Sequence, residues 1–378
     1  MKISQLVLRE NFYVILENTI SKNSFFLNFP KNEKKIEFKS FQYLNIIFET
    51  GLSGTCRNAL VHEYTLRQSK IKSLMQKTYV FFAFLPLVNV LFVHKRLKFS
   101  NNLRKYAIVG GNHRIRLFND DLKSINILLK EGENPKFVTN DIESRKKNNL
   151  KYAPGIIAYG DDWLVEEFIS GIPFNRIRDE VLLMNSFDLI VNQHMKEFIY
   201  KTRTTLSNDK YLQTVSKEMF SQIELIQSDA DLKVKLLSTV KSLIHELEKE
   251  KLNLIDISMT HGDFQKGNMR ITPGNETIVI DWEAADNRFY LYDLFTILSG
   301  LREGQTLKKG LSLFFENAGR YDDGINNYSK KVVMLLLCTE ELRFYLNEDI
   351  SLNYFQTGIK SRLVAAEIDS LLYASKIK

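Results

Sequence analysis

The chain has 378 residues, 44% hydrophobic and 26% charged, with 17 Gly, 6 Pro and 2 Cys. This is globular composition, which excludes a disordered, collagen-like or low-complexity chain, and the length suffices for two or three domains with their own cores. The net charge of +7 is uneven: residues 1–105 hold 17 Lys and Arg against 6 Glu and no Asp, an excess of 11, whereas the remainder is mildly acidic at −4. Cys56 and Cys338 make neither a disulfide framework nor a four-thiolate metal site and fit a reducing compartment. The opening residues carry Glu10 and no long apolar run, so they do not read as a secretory signal.

In the basic front, the run Tyr79–Val93 is almost wholly apolar and is flanked by Lys77 and by His94-Lys95-Arg96. It is shorter than the roughly 20 apolar residues of a spanning helix, and Pro86 and Asn89 interrupt it. Two readings stand: a buried core segment, or an interfacial segment whose basic flanks meet anionic headgroups. From Arg104 to Ser170 the pattern is that of short strands. Tyr106–Val109 leads into Gly110-Gly111-Asn112, then the alternating His113-Arg-Ile-Arg-Leu-Phe118, and Ile125–Lys130 reads as a third strand. Residues 139–148 form a helix capped by Thr139 or Asn140, and Trp163–Phe168 is a further strand. After Gly171 the chain turns helical, with Leu236, Leu237, Val240, Leu243, Ile244 and Leu247 at helical spacing. Met269–Thr272 and Thr277–Ile280 flank Pro273-Gly274-Asn275-Glu276 as a hairpin. Helices return from Tyr292 onward.

The strongest chemical signal is Thr260-His-Gly-Asp-Phe-Gln-Lys-Gly-Asn268 followed by Ile280-Asp281-Trp282-Glu283. Asn268 enters the hairpin and Asp281 leaves it, so antiparallel pairing returns the carboxylate to the amide. Such a pair of hard oxygen ligands suits Mg²⁺, which also takes phosphate oxygens and water. Asp263 lies in the loop before them, placed to accept a proton from a hydroxyl nucleophile. A metal pair with a nearby base is the machinery of phosphoryl transfer.

This pattern, His-Gly-Asp-x-x-x-x-Asn and then Ile-Asp-Trp-Glu, resembles the aminoglycoside phosphotransferase and choline kinase superfamily from about Tyr106 onward. The resemblance implies an α+β, bilobal protein-kinase-like fold. A small β-rich N-lobe spans 105–170 and a larger helical C-lobe spans 171–378, preceded by a basic extension over 1–104 that a minimal member lacks. It implies ATP and Mg²⁺ as cofactors, Asp263 as catalytic base, and Asn268 and Asp281 as Mg²⁺ ligands. His261 is then a structural residue of the loop, Trp282 and Glu283 support it, and Asp293 caps the next helix. It also implies a strand lysine on the nucleotide phosphates, oriented by a helix glutamate: Lys130 and Glu143 fill these places, with Lys123 and Lys136 as neighbours to Lys130. The Trp163–Phe168 strand becomes the adenine-contacting hinge. Gln265, Lys266 and Asp286-Asn287-Arg288-Phe289 depart from the common pattern.

Fold does not give substrate. A cationic aminoglycoside calls for acids such as Glu340-Glu341 and Glu348-Asp349, which equally suit solvated helix faces. Choline calls for an aromatic cage, for which Phe289, Tyr290, Tyr292, Phe344, Tyr345, Tyr354 and Phe355 offer material, although such residues commonly fill cores. The basic front favours a sugar or surface-glycan acceptor, handled in the cytoplasm or at the cytoplasmic membrane face. A catalytically weak scaffold acting through residues 1–104 is the alternative, and a Ser/Thr protein kinase the third reading, disfavoured by the Gly of His-Gly-Asp. Despite the basicity, no interleaved aromatic motif or known module points to nucleic acid.

Overall fold

The computed structural model describes residues 14–27, 35–41, 46–49, 54, 56, 70–84, 93, 95–100, 103, 106–111, 113–119, 121–177, 179–226, 230–350 and 359–376. Part of the Tyr79–Val93 run, His62, Asn112, Tyr354 and Phe355 therefore lie outside the described residues. The chain divides into two compact units. A sheet-rich unit comprises 1–186 with 266–283, and a helical unit comprises 187–265 with 284–378.

The sheet-rich unit is built on eight antiparallel strands: β1 (Lys35–Phe41), β2 (Ile46–Glu49), β3 (Lys95–Ser100), β4 (Tyr106–Gly110), β5 (Arg114–Asn119), β6 (Ser124–Leu129), β7 (Ile156–Tyr159) and β8 (Trp163–Glu167). Their order is β3-β1-β2-β4-β5-β6-β8-β7. The strands expected between residues 106 and 168 thus form, joined by β7. The sheet also crosses the boundary expected at 104/105, because β2 pairs with β4 through Ile47 and Ile108. Period-two alternation buries both faces. Phe41, Ile46, Phe48, Phe118, Ile127 and Leu164 gather on one side with Phe137 and Val138. Phe38, Ile47, Leu97, Phe99, Ile108 and Leu117 gather on the other with Leu16, Ile20 and Phe25. The front region also contains helix α1 (Lys70–Phe84).

Helix α2 (Lys136–Asn148) starts earlier than Thr139, its N-cap position being Pro135, whose fixed φ suits a helix start. It ends at Asn149, a left-handed residue whose amide donates the closing hydrogen bonds to the Arg145 and Lys146 carbonyls. The expected hairpin is present as β12 (Met269–Ile271) and β13 (Thr277–Val279), joined at its edge by β9 (Ile172–Pro173).

The helical unit packs α4 (Asn208–Leu225), α5 (Ala230–Lys249), α8 (Lys330–Asp349) and α9 (Ile359–Lys376) against one another, with α6 (Tyr292–Ser299) beside α7 (Leu307–Asn317). Helix α3 (Glu180–His194) precedes them along the chain. The unit also holds a three-stranded sheet that the helical pattern hid: β10 (Thr204–Ser207), β11 (Leu254–Thr260) and β14 (Asp286–Phe289). The unusual Asp286-Asn287-Arg288-Phe289 run is therefore a strand, paired with the residues that lead into His261. The observed architecture is α+β, sheet-rich toward the N-terminus and helical toward the C-terminus, as the resemblance implied.

Candidate active site

The sequence-derived residues fall into both units. Lys130, Glu143, Asn268 and Asp281 belong to the sheet-rich unit and Asp263 to the helical one.

In the sheet-rich unit, β5 follows the Gly110-Gly111 pair and carries Arg114, Arg116 and Phe118 on one face. These three, with Ile125 and Ile127 of β6, Glu166–Ile169 at the end of β8 and just past it, and Gly267, Arg270, Ile280 and Asp281, line a cavity of about 300 Å³. A Cβ on Gly111 would lie 2.9 Å from the Arg116 guanidinium and 3.0 Å from the Arg114 carbonyl oxygen, so a larger residue there would displace the Arg116 side chain. Asn268 and Asp281 are brought together by the hairpin: Met269 pairs with Val279, and the Ile280 amide donates to the Asn268 carbonyl at 2.8 Å. Asp281 has a positive φ of 68°, a strained conformation for a non-glycine residue. Trp282 is buried and its indole donates to the Val279 carbonyl.

The cations here come mostly from β5. Arg114 is fully buried and bridges three acids: Asp141 of α2, Glu283 through Nε at 3.1 Å, and Asp281 at 3.4 Å. Burial opposes its charge, but Asp141, Glu283 and Asp281 more than offset this and raise its pKa. Arg116 donates to the same Asp281 Oδ1 at 2.5 Å, and that carboxylate raises its pKa. Burial pushes the Glu283 carboxyl up, and the nearby Asp281 adds to it.

Lys130 is buried, and its ammonium donates to the Gly111 carbonyl at 2.6 Å. Burial lowers its pKa to about 8, with Glu133 pulling the other way. Glu143 is exposed on α2, whereas Asp141 on the same helix is buried. The pairing of a strand cation with a helix acid is thus made by Arg114 and Asp141. Sequence reasoning took His113–Phe118 only as an alternating strand. The available signal was that alternation puts Arg114 and Arg116 on one face directly after a glycine turn.

The helical unit holds Asp263. β11 delivers Thr260 to a loop whose backbone is pinned from α6: Asp293 accepts from the His261 amide at 2.6 Å and the Gly262 amide at 2.9 Å, and from His194 Nε2 at 2.8 Å. Asp293 thus anchors the loop instead of capping its own helix, whose N-cap position is Leu291. Burial alone raises its carboxyl pKa, but the hydrogen bond and charge of His194, with those of His261, bring it below the ordinary range. Gly262 has φ +82°, and a Cβ there would lie 2.1 Å from the Ala284 carbonyl oxygen, so only glycine fits. His261 Nδ1 accepts from the Asp263 amide at 3.3 Å.

Asp263 is partly exposed and held from both sides. Arg302 Nε donates to Oδ1 at 3.0 Å, and Gln265 Nε2 donates to Oδ2 at 2.6 Å. Arg302 also makes a two-point contact with Glu341. Sequence reasoning missed it because nothing in Gly300-Leu-Arg-Glu-Gly304 marks it; its place is set by tertiary contact. Glu340 and Glu341, read as solvated faces or cation ligands, are buried and paired with Arg343 and Arg302. Glu348 pairs with Lys360, and Asp349 accepts from Ser361.

Among the described residues no cluster of three or more His, Cys, Asp and Glu side chains forms a metal site. Asn268 and Asp281 fit Mg²⁺ in the chemistry of their donors, an amide and a carboxylate oxygen held at one hairpin end, since Mg²⁺ is commonly bound by few protein ligands plus water and phosphate.

Residues 209–318 match the model of a family described as "Phosphotransferase enzyme family". No curated protein matches the chain in sequence. Among solved structures, the chain is similar to a thermostable mutant of aminoglycoside phosphotransferase APH(4)-Ia in its apo form: 10% identity over 71% of this chain and 94% of that one, TM-score 0.50. Choline kinase from Cryptosporidium parvum Iowa II gives 15% identity over 74% and 92%, TM-score 0.45. Plasmodium vivax ethanolamine kinase gives 13% over 84% and 93%, TM-score 0.45. At 10% identity the likeness to APH(4)-Ia is one of fold, and residues 209–318 match the phosphotransferase family to which the motifs pointed. The matched segment contains Asp263, Asn268, Asp281, Asp293 and Arg302.

Proposed function

We propose that the chain is an ATP- and Mg²⁺-dependent phosphotransferase that moves the γ-phosphate to a hydroxyl of a small molecule, with Asp263 as base. The observation that carries this reading is the cavity of the sheet-rich unit, which joins Asp281 and Arg116 to the strand end Glu166–Ile169. A nucleotide there would place adenine against the backbone after β8 and its phosphates toward Arg116 and Asp281. Lys130 would act from behind, holding the Gly111 turn. Asn268 and Asp281 would hold Mg²⁺, which when bound neutralises phosphate charge.

The loop residues do the proton work. Asp263, fixed by Arg302 and Gln265, takes the acceptor's hydroxyl proton as that oxygen bonds to phosphorus; the bond to the bridging oxygen breaks and ADP leaves with its electron pair. The test is ATP turnover by the full chain with sugars, choline and aminoglycosides. Asp263→Asn is expected to lower kcat about 10²–10⁴-fold, the usual contribution of a general base, with little change in the affinity for ATP. Full turnover by that variant overturns the mechanism.

A sugar or surface-glycan acceptor at the cytoplasmic membrane face is the finer reading. It draws support from the front region, where Ile71, Leu74, Met75, Phe81 and Phe82 of α1 are exposed beside Lys77. No described helix is long and apolar enough to cross a membrane, so this contact would be peripheral.

A further inference from the structure

The residues around Arg302 form a cation box. Its guanidinium lies over the Phe344 ring at 4.3 Å and the Tyr345 ring at 5.1 Å. All five N–H donors are used: Nε on Asp263; Nη1 on Glu341 Oε1 at 2.5 Å and Tyr345 OH at 2.9 Å; Nη2 on Tyr292 OH and Glu341 Oε2, both at 3.2 Å. Only 8% of the side chain is exposed, against 23% for Asp263. Aromatic faces backed by a buried carboxylate are what recognises an ammonium or guanidinium group. Here the cation is already supplied by the chain, on the turn Leu301–Glu303 between two left-handed glycines.

We propose that Arg302 fills the cation site beside the base, so that the acceptor is a neutral or acidic hydroxyl compound such as a sugar, polyol or sugar acid, and not an ammonium compound. This rests on Asp263 being the base. Arg302 is a positioning residue: with its five donors spent inside the chain, it orients Asp263 and gives the site a positive neighbour. An ammonium group entering beside Asp263 meets the guanidinium and finds the aromatic faces and the Glu341 carboxylate already taken by it, whereas an uncharged hydroxyl compound needs neither.

Two measurements test it. With the full chain, ATP and Mg²⁺, kcat/KM for some sugar, polyol or sugar acid is expected to exceed that for choline, ethanolamine and aminoglycosides by about a hundredfold, since like charges held together cost several kcal/mol. Turnover of an ammonium compound at an equal or better kcat/KM overturns the proposal and leaves the phosphotransferase reading standing. The second measurement needs no turnover. Arg302→Ala is expected to show a saturable rise in Tm with methylguanidinium or tetramethylammonium, because the emptied box again prefers a cation and ligand binding raises stability. The wild-type chain is expected to show none. A wild-type response equal to the variant's, or a folded Arg302→Ala that answers neither cation, overturns it. If Arg302→Ala does not fold, the acceptor panel and the wild-type titration decide.

Discussion

Arg116 and Arg114 donate to the same oxygen of Asp281, yet their surroundings set them opposite tasks. Arg116 lines the cavity, is partly exposed and pairs with Asp281. Nucleotide phosphates entering the cavity would bring it a second anion. Arg116→Met is expected to raise KM for ATP about 10–100-fold, because a charge-assisted hydrogen bond contributes about 1.5–3 kcal/mol, while Tm changes little. Arg114 is buried among Asp141, Glu283 and Asp281. Arg114→Met strips all three acids of a counter-charge and is expected to cost about 3–5 kcal/mol of stability, the usual loss on breaking a buried ion pair. Urea unfolding and ATP titration of both variants check the contrast; a fall in stability for Arg116→Met matching that of Arg114→Met would remove the assigned difference. Placement in the loop and the hairpin was legible at Asp263, Asn268 and Asp281 because spacing fixes it locally. Placement was not legible at Arg114, Arg116 and Arg302, whose acid partners lie 27 or more positions away.

Helix α6 and strands β1–β3 act at the next scale, since each holds something its own sequence does not reveal. Asp293 ties α6 to the loop carrying Asp263, and the sign of its pH effect follows from its depressed pKa. A carboxyl with a folded pKa below its unfolded value of about 3.9 adds stability that is full above the unfolded value and is lost as pH falls through the folded one. Acid unfolding of the chain is therefore expected to steepen below about pH 4, and Asp293→Asn to flatten that limb while lowering stability at neutral pH. Tm measured from pH 3 to 7 checks it, and unchanged pH dependence in Asp293→Asn contradicts the assignment. The front strands carry a different consequence. Removing residues 1–104 uncovers the β4 edge and takes Phe38, Ile47, Leu97 and Phe99 from the core. A chain beginning at residue 105 is expected to be insoluble or to melt well below the full chain, because a bared strand edge pairs promiscuously and each lost apolar side chain contributes about 1.5–3 kcal/mol. Equal Tm values for the two would show that the sheet closes without them. Strands 106–129 could be read from alternation between turn signals. The pairing of β2 with β4 could not, because the 58 residues between the paired Ile46–Phe48 and Ala107–Val109 give no local cue.

For the whole molecule, the charge split now has a structural setting. The excess of 11 positive charges in residues 1–105 belongs to a region that completes the sheet, so its strands have a folding role, and the proposed membrane contact would fall to what they leave exposed. On α1 that is Ile71, at 73% exposure, with Leu74, Met75, Phe81 and Phe82. Basic charge draws such a face to anionic lipid, while apolar side chains hold it there. Truncation is a poor test, since it damages the sheet. Substitution on α1 leaves the described core contacts of β1–β3 in place. The full chain is expected to co-sediment with phosphatidylserine-containing vesicles, to bind less as salt rises and the attraction is screened, and to bind little to purely zwitterionic vesicles. Leu74→Ser combined with Phe81→Ser is expected to lower the bound fraction several-fold with Tm unchanged, since each removes apolar area that would enter the interface. Equal sedimentation of the wild type and this variant would assign the front region to folding alone and leave its positive charge without a membrane role.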